Sequence, residues 1–239
     1  MLIQVVNPNA TAAMTDVIAA AARAAAAPDV SVEAVTNAAA PVSIESAYDE
    51  ALAVPGLLAA VREPADGYVV ACFGDPGLDA AREVAAGPVV GIAEAAMRTA
   101  TYLGRSFSVV TTLARTTGRT EELVDRYGVR PLCRSVRACE VPVLGLAGNP
   151  DAYRRVLAEC RAAVECDGAE CLVLGCAGMA DLCAELAAEL GVPVVDGVAA
   201  AVATVSGLVR LGLSTSRVGG YARPPAKPVT GPLASLWLG

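Results

Sequence analysis

The chain has 239 residues, of which 55% are hydrophobic, and a net charge of −7 from 18 Lys and Arg against 25 Asp and Glu. That length buries one large core or two of about 100 residues each, the apolar content speaks against disorder, and the lack of a basic stripe argues against nucleic acid as a partner. Eight cysteines and no histidine leave the common zinc ligand sets incomplete, and proton transfer falls to cysteine, carboxylate, lysine or tyrosine.

The chain opens on an apolar run, and Leu2 to Val6 reads as a strand that ends in Asn7-Pro8-Asn9. It lacks the basic start and longer apolar core of a secretion signal. Arg23 and Arg210 interrupt the two most alanine-rich segments, so no membrane span of about 20 apolar residues is expected. A cytoplasmic location with no membrane partner is the expectation. After a first helical pattern, Ala40-Pro41-Val42-Ser43-Ile44-Glu45-Ser46 reads as a loop over a cleft, with Ser43 or Glu45 available to a ligand. Further strands are predicted at Gly67–Ala71, Val89–Ile92, Ser108–Thr111, Cys171–Leu174 and Val194–Val195, separated by alanine-rich helical stretches. Such alternation predicts the α/β class, with parallel strands joined by right-handed crossovers.

An internal repeat organises these elements. Asp66-Gly67 leads through a strand to Cys72-Phe73-Gly74 and on to Pro88, and Asp167-Gly168 leads to Cys176-Ala177-Gly178 and on to Pro193. Cysteine to proline spans 16 positions in the first copy and 17 in the second. Each copy places a cysteine at the carboxyl end of a parallel strand, where open α/β sheets form their ligand crevices. Two lobes facing each other about a pseudo-twofold axis would bring Cys72 and Cys176 to opposite sides of one cleft. We divide the chain into an N-terminal lobe, 1–98 plus 211–239, carrying Cys72, and a C-terminal lobe, 99–210, carrying Cys176.

Two opposed bases suit inversion of a carbon beside a carbonyl, since one removes a proton and the other delivers one. A thiol at the start of a helix has its pKa lowered and its reactive fraction raised, and both cysteines are expected at such a position. Asp75 then reads as a helix N-cap and Pro76 as the first helical residue. The glycine two places after each cysteine permits a tight turn whose N–H groups could meet a developing enolate oxygen. Each feature has a plainer explanation as well: Gly74 and Gly178 as turn formers, Asn7-Pro8-Asn9 as a strand-to-helix turn, and either cysteine alone as a core residue. Thr111 and Thr112, at a strand end, are candidate cleft residues. Cys133, Cys139, Cys160, Cys166, Cys171 and Cys183 are read as core or incidental surface.

The runs Val5-Val6-Asn7-Pro8-Asn9, Pro41 to Ser46, Cys72-Phe73-Gly74-Asp75-Pro76-Gly77, Gly175-Cys176-Ala177-Gly178-Met179 and Val194-Val195-Asp196-Gly197 resemble the motifs of hydantoin and allantoin racemases, within the aspartate/glutamate racemase superfamily. The likeness extends to Tyr221-Ala222 and Lys227, essentially the whole chain. It implies two similar flavodoxin-like lobes around an active-site cleft, Cys72 and Cys176 as catalytic acid and base, no cofactor and no metal, a small-molecule substrate, and a homo-oligomer. Expected substrate-binding residues are Asn7, Asn9, Ser43, Phe73, Gly74, Thr111, Thr112, Ala177 and Gly178. Glutamate and aspartate racemases usually follow their cysteines with Asn-Thr and Thr-His; Phe73-Gly74 and Ala177-Gly178 stand here instead and suit a neutral ring better than a zwitterion. Other readings are a cofactor-free decarboxylase or cis–trans isomerase of a small diacid, a racemase of another small carbonyl compound in the same superfamily, and a binding protein that kept the cleft without the chemistry.

Overall fold

A computed structural model describes residues 1–146 and 148–236. In chain order the elements are β1 (Leu2–Asn7), α1 (Ala12–Ala25), β2 (Ser31–Thr36), α2 (Ala47–Ala60), β3 (Gly67–Val70), α3 (Leu78–Val84), β4 (Val89–Gly91) and α4 (Ile92–Leu103). The second half follows with β5 (Phe107–Thr111), α5 (Thr117–Arg126), β6 (Cys133–Ala138), α6 (Pro150–Glu165), β7 (Cys171–Leu174), α7 (Cys183–Leu190), β8 (Val194–Val195) and α8 (Gly197–Arg210). The strands form two four-stranded sheets of orders β2-β1-β3-β4 and β6-β5-β7-β8. Every pairing is parallel, with Val5 beside Val69 in the first sheet and Val109 beside Val173 in the second. The α/β class and its two similar lobes are thus both present.

Central strands are apolar on both faces because helices cover both sides of a parallel sheet. All residues of β3, β5 and β7 are buried. The edge strands β2 and β6 are half-exposed and carry polar residues, as in Ser31-Val32-Glu33 and Cys133-Arg134-Ser135. Both were absent from the predicted strands.

Ser46 caps α2, and Asn149, followed by Pro150, caps α6. These caps satisfy backbone donors that would otherwise be orphaned. The helices that follow β4 and β8 exchange sides: α4 packs on β7, α8 packs on β3, and the two lie against each other. One apolar cluster therefore joins Ile3, Val5 and Val69 to Phe107, Val109 and Val173 through Met97 and Val202.

In each sheet the chain leaves the two middle strands toward opposite edges, and a crevice opens where that direction reverses. The crevices fall at the carboxyl ends of β1 and β3, and of β5 and β7. Ala71-Cys72 follows directly on β3 and Gly175-Cys176 on β7, with Ala71 N and Gly175 N still donating to Val6 O and Val110 O of the neighbouring strands. No helix among the described residues is long and apolar enough to cross a membrane.

Candidate active site

Cys72 and Cys176 line one cavity of about 230 Å³. Of the other residues expected to bind substrate, Phe73, Gly74, Thr111, Thr112 and Ala177 share that lining. Asn7, Asn9, Ser43 and Gly178 stand outside it. Asn7 is fully buried and spends its amide on Asn9 Oδ1 and Thr15 Oγ1, each at 3.0 Å, and Asn9 Oδ1 accepts from Thr11 N at 2.9 Å. This is the hydrogen bonding of a strand-to-helix turn. Gly178 makes room for Met14, whose Cε lies 3.1 Å from where a Cβ would sit. The 41–46 loop reaches the cavity through Ile44, Glu45 and Ser46, and Glu45 Oε1 accepts from Val143 N of the second half at 2.8 Å.

The electrostatics of the thiols differ from the sequence expectation. No α-helix begins at either cysteine, although Cys176 is the N-cap of a short 3-10 helix. After Cys72 the chain turns, and α3 starts only at Leu78 behind Gly77, a left-handed residue with φ 65°. After Cys176 comes the 3-10 stretch Ala177–Leu182. Burial dominates instead, pushing Cys72 up to about 12 and Cys176 up to about 11. The Gly74 and Gly178 N–H groups hydrogen-bond to these sulfurs and pull the other way. Glu50, Cys176 and Asp75 each add repulsion to a Cys72 thiolate. Removing a thiolate from water costs more than one N–H and the weak local dipole return, so both thiols rest protonated in the ligand-free protein.

Asp75 does not cap the helix that follows it. It is buried with φ 45°, and its carboxylate accepts from Ala93 N at 3.1 Å and Glu94 N at 2.9 Å, the first turn of α4. Tyr127 of the second half donates its O–H to the same carboxylate at 2.5 Å. Burial raises this acid to about 6 against those donors. Gly91 is required here, because a Cβ would stand 2.3 Å from the Asp75 carboxyl.

Sequence reasoning missed the charged side of the cavity. Glu50 lies against Gly74, whose added Cβ would come within 2.3 Å of Glu50 Oε1. Glu50 pairs with Arg119 across the lobes at 3.4 Å, and Arg119 Nη2 donates to Gly74 O at 3.3 Å. Burial raises the Glu50 carboxyl while Arg119 opposes it. These residues sit on α2 and α5, far from the cysteine motifs in sequence, and carry no local signal of their role. Of the remaining cysteines, Cys139, Cys160 and Cys171 are buried and Cys166 is exposed. Among the described residues no group of three or more His, Cys, Asp or Glu is placed to hold a metal ion.

Two parallel α/β lobes that each supply a strand-end thiol to one shared cavity define a two-lobed enzyme of the racemase type. The chain belongs to the Asp/Glu/Hydantoin racemase family, whose model matches residues 3–205. It is 47% identical to a hydantoin racemase of Rhizobium meliloti, over 97% of this chain and 98% of the relative. It is 45% identical to a hydantoin racemase of Pseudomonas sp. strain NS671, over 99% and 97% of the two chains. Its fold matches the solved structure of allantoin racemase from Klebsiella pneumoniae with a TM-score of 0.97 at 48% identity, covering 100% of this chain and 99% of that one. The protein is accordingly an isomerase, of the racemase class.

Proposed function

We propose that the protein racemises a hydantoin-type ring, either a 5-monosubstituted hydantoin or allantoin, with Cys72 and Cys176 as opposed acid and base. The observation that carries this is the placement of the two thiols: each lies at the end of the equivalent strand of its lobe and both line one small cavity. The relatives named above support the ring. A cavity of about 230 Å³ is below the ~300–1,000 Å³ of drug-sized pockets and suits a small substrate.

In one direction the thiolate of one cysteine takes the hydrogen at C5, and the electron pair of the C–H bond passes into the ring carbonyl as an enolate. The opposite thiol then gives its proton to the other face of C5, and the pair ends with its protonation exchanged. A thiol held at a high pKa is a stronger base once ionised, though a smaller fraction is ionised at neutral pH. From this resting state one thiol must first lose its proton to solvent, after which the pair alternates between its two singly ionised forms as each turnover exchanges their protonation. Neither metal nor organic cofactor is needed for these steps. A cytoplasmic location and a homo-oligomeric assembly belong to the same proposal.

The test is the optical rotation of single enantiomers of several 5-substituted hydantoins and of allantoin with purified protein. Decay to zero rotation with full recovery of material supports the assignment. Release of carbon dioxide from a malonate, or turnover of a cis-diacid with no action on any hydantoin, overturns it.

A further inference from the structure

The two cysteine turns share one backbone design, and the residue that closes each turn differs in character. Asp75 N donates to Cys72 O at 3.0 Å, and Met179 N donates to Cys176 O at 3.1 Å. Met179 is buried in an apolar cluster, whereas Asp75 carries a carboxylate into the protein interior. The helices α4 and α8 differ in a matching way. Asp196 caps α8 with its own side chain, accepting from Val198 N and Ala199 N at 2.9 and 3.0 Å. In α4 the capping position is Gly91, and the carboxylate comes from Asp75 instead. The cap of α4 has been moved onto the Cys72 turn.

The second half of the chain holds that turn from the other side. Arg119, Arg126 and Tyr127, from one face and the end of α5, reach Gly74 O at 3.3 Å, Asp79 at 2.5 Å and Asp75 at 2.5 Å. Asp75 adopts φ 45°, a conformation that non-glycine residues keep only where their surroundings hold them. It does not line the cavity, so any influence on the reaction passes through Cys72.

We propose that Asp75, fixed across the cleft by the Tyr127 hydroxyl, is a positioning residue for Cys72 and not for Cys176. This rests on the two-thiol reading above. Loosening the turn spoils proton delivery by Cys72 while Cys176 still removes and returns the hydrogen of its own enantiomer.

The test compares deuterium entry into remaining substrate with product formation, for each enantiomer separately in deuterated water. Cys72→Ala first identifies the enantiomer that Cys176 serves, by exchange without racemisation. In Tyr127→Phe, racemisation is expected to fall about 10-fold while exchange of that enantiomer stays within about two-fold, so their ratio rises about five-fold or more for one enantiomer alone. Loss of folded protein lowers both rates together and leaves the ratio unchanged, so a destabilised variant remains informative. A second variant separates capping from positioning. Asp75→Ala combined with Gly91→Asp returns a cap to α4, since Gly91 has the extended backbone of an N-cap, φ −87° and ψ 147°, and removal of the Asp75 carboxylate clears its space. The melting temperature is expected to recover in this double variant and the altered ratio to persist. A wild-type ratio in Tyr127→Phe, or recovery of both properties in the double variant, overturns the positioning role. Racemisation surviving in Cys72→Ala would instead overturn the two-thiol reading itself.

Discussion

Alkylation of the ligand-free protein by a neutral thiol reagent probes the raised thiol pKa values directly. The thiolate is the reacting species, and a free thiol with pKa ~8.5 is about a quarter ionised at pH 8. Cys176, held up to about 11, is then ionised to roughly one part in a thousand, and Cys72, at about 12, to roughly one in ten thousand. Cys166 is the exposed cysteine, so it is expected to label first at pH 8, ahead of either cavity thiol. The assay is mass spectrometry of partly labelled protein across pH 7 to 10. Labelling of Cys72 and Cys176 should rise about tenfold per pH unit throughout, with no plateau. Fast labelling of either cysteine at pH 7, levelling off near pH 8, would refute burial as the controlling influence and reinstate a helix-start effect.

Cys72→Ala and Cys176→Ala are each expected to lower racemisation by about 10²-fold or more while the circular dichroism spectrum stays native. Gly74→Ala places a methyl 2.3 Å from Glu50 Oε1, so it is expected to displace the Glu50–Arg119 pair and cost about 1–3 kcal/mol in urea unfolding, with reduced turnover. Stability should decline in alkali. Cys72, Cys160, Cys176 and Cys183 are all raised by burial, so the folded state favours their protonated forms. Their contribution is complete below the unfolded-state value of ~8.5 and is lost as pH rises from there toward 11 or 12, by up to ~1.4 kcal/mol per group per pH unit. Thermal melts from pH 7 to 10 check the sign; a melting temperature that rises across that range would contradict it.

The repeat and the strand-end cysteines were legible because they depend on local pattern: apolar runs of strand length, a glycine after each cysteine, and matched spacing to Pro88 and Pro193. The edge strands β2 and β6 were not. Both are half-exposed, and Glu33 and Arg134 dilute the apolar signal that marks β3 and β7. Asn7 and Asn9 were expected in the cleft from their position at a strand end, but their side chains close the β1–α1 turn instead. Local pattern also suggested that Asp75 caps the helix after it. Its actual partners, Ala93, Glu94 and Tyr127, are set by tertiary packing 18 to 52 positions away. The Glu50–Arg119 pair is of the same kind, with nothing in either residue's neighbourhood to mark it. The thiol pKa values were misjudged because position at a strand end is visible in sequence and desolvation is not.

The central claim is that the proton leaves on one thiol and arrives from the other. One enantiomer is incubated in deuterated water and sampled early, with chiral chromatography and mass detection resolving isotope content in each enantiomer. Uncatalysed exchange of the ring hydrogen is measured without protein and subtracted. Opposed thiols predict that the product enantiomer carries deuterium at C5 while the remaining substrate stays largely protiated, from either starting enantiomer. Early product that retains the original hydrogen would require a single base acting on both faces, and would contradict the roles assigned to Cys72 and Cys176.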